Sequence, residues 1–267
     1  MHLQLFEHRL VKTAVDATAD AVIAREAQWL RELEEVGELE GQVPRLLEEG
    51  TDPRGRRYLV MSTAPGYGET RAFTADHARF LASLGKARFR STDFEVSGCC
   101  EQLSQSLRSL EGGVPESTLA TLRAAFHDCE TALLYWTGPY VLSQGDFAPW
   151  NIRTLGSQLF VYDWGRARTE ASPLDDVLHY VMIQRALYGR AVTAKFLQSA
   201  MKRAHDFAVL AYPEWSWREQ VIGALTLVYL LGEILNRAAA TRRLDRSHPV
   251  VGPYWRLVEK RAAWMPD

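Results

Sequence analysis

The chain has 267 residues, of which 47% are hydrophobic and 24% are charged, and its formal net charge at pH 7 is −2. This length and apolar content can bury a substantial core, either in one two-lobed unit or in two small domains. The small net charge predicts no general attraction to nucleic acid or to an anionic membrane.

Cysteine usage and the apolar segments indicate the compartment. Cys99, Cys100 and Cys129 are odd in number and lack a Cys-x-x-Cys spacing, which argues against a disulfide framework and a zinc site and favours a reducing cytoplasm. The amino terminus lacks a basic stretch followed by an apolar one, so no secretory signal is expected. The longest uncharged apolar run, residues 221–232, is too short to span a membrane and predicts a buried helix.

The predicted elements form a short mixed part followed by a mostly helical remainder. Residues 1–6 can supply part of one strand, and residues 18–36 carry apolar side chains at helical spacing. Residues 52–56 predict a turn between strands, and residues 63–70, which contain one proline and two glycines, predict a hinge. Further helices are predicted at residues 74–87, 99–110, 115–137, 174–188, 191–211, 215–242 and 252–264.

A β-hairpin is predicted between two of these helices. Residues 152–155 and 158–162 are rich in branched and aromatic side chains, and a Gly-Ser pair between them fits a two-residue turn. With the turn at that pair, paired residue numbers sum to a constant, so Asn151 lies opposite Tyr162. Asn151 and Asp163 are therefore expected side by side at the open end of the hairpin.

Two carboxylates and an amide flank this hairpin. Asp146 and Asn151 have the spacing Asp-x-x-x-x-Asn within residues 144–151, and Asp163 follows within residues 161–165. Metal-assisted phosphoryl transfer uses one carboxylate to orient the attacking hydroxyl and oxygen ligands to hold Mg²⁺ against the phosphates. Asp-x-x-x-x-Asn alone is usually turn chemistry, and the Asp163 segment alone could be a strand that ends in a bend at Gly165, so it is the hairpin uniting them that favours the functional interpretation.

These segments resemble the catalytic loop and the metal-binding segment of the aminoglycoside phosphotransferase and choline kinase-like families, small-molecule relatives of the protein kinases. The resemblance assigns Asp146 as the catalytic aspartate, and Asn151 and Asp163 as the metal ligands. Two positions depart from the family pattern, because Gln144 stands where His is usual and Gly165 replaces a frequent Glu. The Gln144 side chain is expected to support the loop without transferring a proton.

The resemblance extends to the N-terminal part of the chain. Residues 9–14 resemble the strand whose lysine contacts the nucleotide phosphates, and residues 22–30 resemble the following helix, whose glutamate pairs with that lysine. The resemblance therefore implies an ion pair between Lys12 and Glu26, although most Lys and Glu side chains are solvated at the surface.

Two further segments match the same families. Residues 43–50 and 58–61 resemble the two strands before the hinge, where backbone groups of Met61 and Thr63 would face an adenine ring. Asp176 matches the buried aspartate that braces the catalytic loop.

The fold implied by the resemblance is α+β and bilobal, like that of a protein kinase. Residues 1–62 would form a reduced nucleotide-binding lobe, and residues 63–267 would form a larger, mainly helical lobe with catalytic loop 144–151 and metal-binding segment 161–165. Only eleven residues precede Lys12, so the glycine-rich turn that usually covers the phosphates is expected to be absent.

The implied function is a small-molecule kinase that uses Mg²⁺ to transfer the γ-phosphate of ATP to a hydroxyl of a sugar, an amino alcohol or a similar acceptor. The expected partners are a nucleotide and this acceptor, without nucleic acid or membrane. The sequence does not specify the oligomeric state or the choice of ATP over GTP. Two alternatives stay open: a pseudokinase that binds nucleotide with weak or no transfer, and nucleotidyl transfer to a protein side chain.

Overall fold

A computed structural model describes residues 1–64, 71–239 and 241–266 of the chain. The strands are β1 (His2–Phe6), β2 (Arg9–Thr13), β3 (Leu46–Thr51), β4 (Arg57–Ser62), β5 (Phe89–Asp93), β6 (Thr137–Ser143), β7 (Ile152–Leu155), β8 (Gln158–Val161) and β9 (Arg168–Ala171). The helices are α1 (Ala17–Glu34), α2 (Ala75–Ala87), α3 (Gly98–Ser109), α4 (Glu116–Leu133), α5 (Asp175–Leu187), α6 (Ala194–Ala211), α7 (Glu219–Ala239) and α8 (Val251–Glu259). Small sheets combined with long helices make this an α+β fold, which confirms the predicted class.

Packing divides the chain into two compact units. Unit 1 comprises residues 1–87 and 144–168, and unit 2 comprises the described residues of 88–143 and 169–267. Unit 1 thus contains the whole predicted nucleotide-binding lobe together with the predicted catalytic loop and metal-binding segment. The lobe boundary predicted after residue 62 stays a prediction.

A four-stranded antiparallel sheet in the order β1-β2-β4-β3 forms the N-terminal part of unit 1. The turn predicted at residues 52–56 joins β3 to β4 and is closed by a 2.9 Å hydrogen bond from the Asp52 N–H to the Arg56 carbonyl oxygen. The predicted hinge, residues 63–70, begins directly after β4, but its residues 65–70 lie outside the described residues.

Helix α1 supplies the principal helical face of unit 1. Its apolar residues recur at the spacing of one helical face, and those that are fully buried include Ile23, Ala27, Leu30 and Leu33. Glu26 lies on the same buried face and has no exposed surface. The helix begins where the Asp16 carboxylate accepts a 2.8 Å hydrogen bond from the Ala19 N–H, which satisfies one of the free donors of the first turn.

Unit 2 is organised around α7, against which α3, α4 and α8 pack. By length and composition alone α7 would suffice to cross a membrane, but 83% of its apolar window is buried in the fold. Burial of this extent is typical of a core helix, in agreement with the buried helix that the sequence predicts for residues 221–232.

The principal difference from the predicted elements is an additional sheet around β6. The helix predicted over residues 115–137 ends at Leu133, because Gly138 and Pro139 disfavour a helix and the following residues form β6 between β5 and β9. This three-stranded sheet is not predictable from the sequence pattern, since β5 is short, polar and mostly exposed. The other predicted helices agree with the structure to within five residues at each end.

The Asp16 cap gives a first prediction. Asp16→Ala should lower the free energy of unfolding by about 1 kcal/mol because the Ala19 N–H loses its acceptor, and Tm should fall by about 2–4 °C. Thermal unfolding followed by circular dichroism measures this. Asp16→Asn, which keeps an acceptor oxygen, should remain near wild type; an equal loss of Tm in both variants would contradict the capping role.

Candidate active site

The hairpin β7–β8 has the predicted register. Ile152 pairs with Val161 and Leu155 pairs with Gln158, as expected for a turn at the Gly-Ser pair. Beyond the last pair, the Tyr162 N–H donates to the Asn151 carbonyl oxygen at 2.8 Å. Asn151 and Asp163 therefore end up at neighbouring strand ends, as the sequence predicted.

The carboxylate of Asp146 is held by Asn151. The Asn151 amide nitrogen donates to the Asp146 carbonyl oxygen at 2.9 Å and to its Oδ2 at 3.0 Å. Asn151 is 8% exposed, so the bond is shielded from water and holds the carboxylate in a defined orientation. Arg166, which the sequence analysis did not single out, places Nη1 3.8 Å from Asp146 Oδ1 and adds a positive charge beside it.

Gln144 links this loop to the segment after β8. Its Nε2 donates to the carbonyl oxygens of Tyr162 and Asp163 at 2.9 and 2.7 Å, and its Oε1 accepts from the Asp146 N–H at 2.8 Å. A buried amide that bonds on both sides acts as a brace, which is the supporting role expected for Gln144. The neighbouring Gly145 has φ of +80°, and a Cβ there would collide with the backbone of Arg166, so only glycine fits this close approach.

Lys12 lies between two carboxylates. Its Nζ donates to Glu26 Oε1 and Oε2 at 2.8 and 2.7 Å and to Asp163 Oδ1 at 2.7 Å. Lys12 is 3% exposed and Glu26 is fully buried, so the ion pair implied by the sequence is present and shielded from solvent. Burial alone would lower the pKa of Lys12, but the charges of Glu26 and Asp163 outweigh burial and raise its pKa above the ordinary value.

Asp163 adopts a backbone conformation that is uncommon for a residue with a side chain. Its φ and ψ are +62° and +64°, in the left-handed region, and this turns its carboxylate towards Lys12. The next N–H, that of Trp164, donates to Glu26 Oε1 at 3.3 Å. A Cβ on Gly165 would lie 2.7 Å from Val22 Cγ1, so glycine at this position lets α1 approach the segment closely.

The predicted hinge residues have internal partners. Met61 lies within β4 and is fully buried, and the Thr63 N–H donates to the His8 carbonyl oxygen at 3.2 Å. The Ala64 N–H donates to the Tyr162 hydroxyl at 3.1 Å. The sequence analysis did not single out Tyr162, although its place directly before Asp163 was a signal that could have identified it.

Asp176 is in unit 2, where its Oδ1 accepts a 3.0 Å hydrogen bond from the Ser143 hydroxyl. Ser143 directly precedes Gln144 in the chain, so this bond fixes the strand residue from which the predicted catalytic loop begins.

The Asn151 amide oxygen and the Asp163 carboxylate are oxygen groups of the kind that a hard divalent cation prefers. The Asn151 amide nitrogen faces Asp146, so its Oδ1 is the atom available as a ligand, and Lys12 bonds only one oxygen of Asp163 among the described residues. No cluster of three or more His, Cys, Asp and Glu side chains occurs in the part of the chain that the structure describes. A small number of protein ligands is typical of magnesium sites, in which water and phosphate oxygens fill the remaining positions.

The sequence profile of the phosphotransferase enzyme family matches residues 7–214, which include every residue described for this site. The chain belongs to the phosphotransferase enzyme family. No curated protein matches it.

Solved structures show the fold of this phosphotransferase family member. The apo form of a thermostable mutant of aminoglycoside phosphotransferase APH(4)-Ia aligns with a TM-score of 0.60 and 14% identity over 95% of this chain and 87% of that chain. APH(2'')-Ib bound to ADP aligns with a TM-score of 0.59 and 17% identity over 98% and 89%. The gentamicin complex of APH(2")-IIa aligns with a TM-score of 0.55 and 16% identity over 97% and 85%. The protein kinase-like fold implied by the sequence is thereby confirmed.

Removal of the Glu26 charge tests the buried pair in this phosphotransferase. Glu26→Gln leaves Lys12 buried with one carboxylate, so the free energy of unfolding should fall by about 3 kcal/mol. Urea denaturation measures the loss. Glu35→Gln, the same charge change at the exposed end of α1, should alter stability by less than about 0.5 kcal/mol, and equal losses in the two variants would contradict a special role for the pair.

The raised pKa of Lys12 predicts an alkaline limit to this stabilisation. A lysine with a higher pKa in the folded state stabilises fully below its unfolded pKa, and the effect is lost as pH rises through the folded pKa. The stability difference between wild type and Lys12→Met should therefore be constant from pH 7 to about pH 10 and shrink above it. Urea denaturation across this range measures the profile, and a difference that already shrinks below pH 9 would contradict it.

Proposed function

We propose that the chain is a Mg²⁺-dependent kinase that transfers the γ-phosphate of ATP to a hydroxyl group of a small molecule. The observation that supports this best is the bracing by Gln144, whose side chain bonds both the Asp146 N–H and the Asp163 carbonyl oxygen. One side chain thereby fixes the backbone of the proposed catalytic residue relative to the backbone of a proposed metal ligand. Fixed separation of these groups is what phosphoryl transfer requires, because its catalysis is mostly positioning and charge stabilisation.

Asp146 is the proposed catalytic residue. The acceptor hydroxyl oxygen forms a bond to the γ-phosphorus while the bond from that phosphorus to the β–γ bridging oxygen breaks, and the hydroxyl proton passes to Asp146. The Asn151 amide orients the carboxylate for this contact. The transition state is loose, so the placement of Asp146 matters more than its basicity.

Lys12 is the proposed phosphate contact, with Glu26 as the residue that positions it. Two carboxylates hold the buried Lys12 ammonium in one position, so a bound nucleotide would meet a positive charge at a fixed place. Asn151 and Asp163 would hold Mg²⁺, which when bound neutralises charge on the β- and γ-phosphates. Structures of related proteins with ADP, such as APH(2'')-Ib, support a nucleotide as partner.

The acceptor and the compartment are also proposals. Complexes of related proteins with gentamicin and with hygromycin B support a small molecule with hydroxyl groups as the acceptor. The three cysteines are buried free thiols, which supports the cytoplasm as the compartment.

Two substitutions separate the proposed roles. Asp146→Ala should lower turnover by about 10²- to 10⁴-fold through loss of the proton acceptor while leaving the Kd for ADP within about twofold of wild type. Asp163→Ala should abolish the Mg²⁺-dependent part of nucleotide binding. Calorimetry with ADP, with and without Mg²⁺, and a coupled assay of ADP release with a panel of sugars and amino alcohols measure both effects.

An exposed carboxylate provides the control. Asp206→Ala, on the solvent side of α6, should leave turnover and ADP binding unchanged because exposed ion pairs contribute little. Equal turnover in wild type and Asp146→Ala would contradict the mechanism. Mg²⁺-dependent nucleotide binding by wild type without transfer to any acceptor would favour the pseudokinase alternative.

A further inference from the structure

The N–H groups at the end of β4 differ in the kind of acceptor that they bond. Those of Ser62 and Thr63 donate to backbone carbonyl oxygens at 3.0 and 3.2 Å. The next N–H, that of Ala64, donates to the hydroxyl of Tyr162 at 3.1 Å. A backbone carbonyl can be displaced only by moving a chain segment, whereas a side-chain hydroxyl can be displaced by rotation about χ1.

The backbone of Tyr162 is fixed by hydrogen bonds, whereas its side chain is only partly buried. The backbone bonds Asn151 through its N–H and Gln144 through its carbonyl oxygen, and the ring packs 4.8 Å from that of Phe160 with the Arg153 guanidinium 5.9 Å from its centre. The phenol hydroxyl accepts the Ala64 N–H through a lone pair.

We propose that the Ala64 N–H is the hydrogen-bond donor with which this chain recognises a nucleotide base, and that the Tyr162 hydroxyl competes with the base for this N–H. The proposal rests on the nucleotide site of the proposed function and adds a residue that sets its affinity for the base. A purine presents ring acceptor atoms at its edge. Such an acceptor can bond the Ala64 N–H more easily than the N–H groups of Ser62 and Thr63, because only a side-chain hydroxyl has to be displaced.

The competition predicts an effect that depends on the base. Binding of a nucleotide exchanges the N–H···OH bond for a bond to the base, so the phenol subtracts the strength of one hydrogen bond from the affinity. Removal of the hydroxyl should therefore strengthen nucleotide binding by about three- to tenfold. A ligand that has phosphates but no base makes no such exchange, and its affinity should not change.

The test compares two ligands and three proteins. Calorimetry in the presence of Mg²⁺ measures the Kd of ADP and of inorganic triphosphate for wild type, Tyr162→Phe and Tyr58→Phe. Tyr58 is a matched control because it lies on β4 and its hydroxyl bonds Glu48, so its removal leaves the Ala64 donor unchanged. The expected result is a three- to tenfold lower Kd for ADP in Tyr162→Phe alone, with the Kd for triphosphate within twofold in all three proteins.

Several outcomes would overturn the proposal. An ADP affinity of Tyr162→Phe equal to or weaker than that of wild type would do so, because the phenol would then not compete with the base. An equal gain for triphosphate would also do so, since the effect would then act through the phosphate and metal groups beside Asp163. Absence of ADP binding in wild type and in Tyr162→Phe would overturn the nucleotide site and this inference together. The expected Kd pattern without phosphate transfer to any acceptor would overturn the proposed kinase reaction alone.

Discussion

The contact of one buried ammonium with two carboxylates is the interaction on which unit 1 depends. Lys12 comes from β2, Glu26 from α1 and Asp163 from the segment after β8, so a single positive charge fixes a strand, a helix and a turn relative to one another. Transfer of a charged group from water into the protein interior is costly, and the cost is offset only when its partners lie within hydrogen-bond distance. Withdrawal of β2 would leave the buried Glu26 carboxylate without its cation, and withdrawal of α1 would leave Lys12 paired with Asp163 alone.

Neutral hydrogen bonds extend this arrangement to the loop that carries Asp146. Gln144 and Asn151 use their amide groups to join backbone atoms on both sides of the hairpin. Hydrogen bonding of buried polar atoms makes such a network rigid, and Gln144 Nε2, Gln144 Oε1 and Asn151 Nδ2 all bond at 3.0 Å or less. The result is a set of oppositely charged groups whose positions are determined by the scaffold before any ligand arrives, which is the state that electrostatic catalysis requires.

Local features were predictable from the sequence to the extent that neighbouring residues determine them. The hairpin register followed from a two-residue turn, and α1 followed from the spacing of its apolar residues. The Lys12–Glu26 pair followed only from family resemblance, because nothing local distinguishes a buried lysine from a solvated one. The sheet of β5, β6 and β9 was missed because β5 and β9 are short and mostly polar and gain stability from pairing with β6.

Contacts between residues that are distant in the chain could not be predicted. The bond between Ala64 and Tyr162 joins positions 98 residues apart, and the bond between Lys12 and Asp163 joins positions 151 residues apart. The fold and the family are established, whereas the roles of Asp146, Asn151, Asp163, Lys12, Glu26, Met61 and Thr63 stay predictions.

The hairpin also offers a place for a reporter group. Its turn at Gly156 and Ser157 is exposed and lies at the opposite end of the two strands from Asn151 and Asp163, while the three native cysteines are buried. A cysteine introduced at position 157 would be the thiol most accessible to a maleimide dye. Fluorescence or spin-label measurements could then follow the segment during turnover without a label on any group of the site.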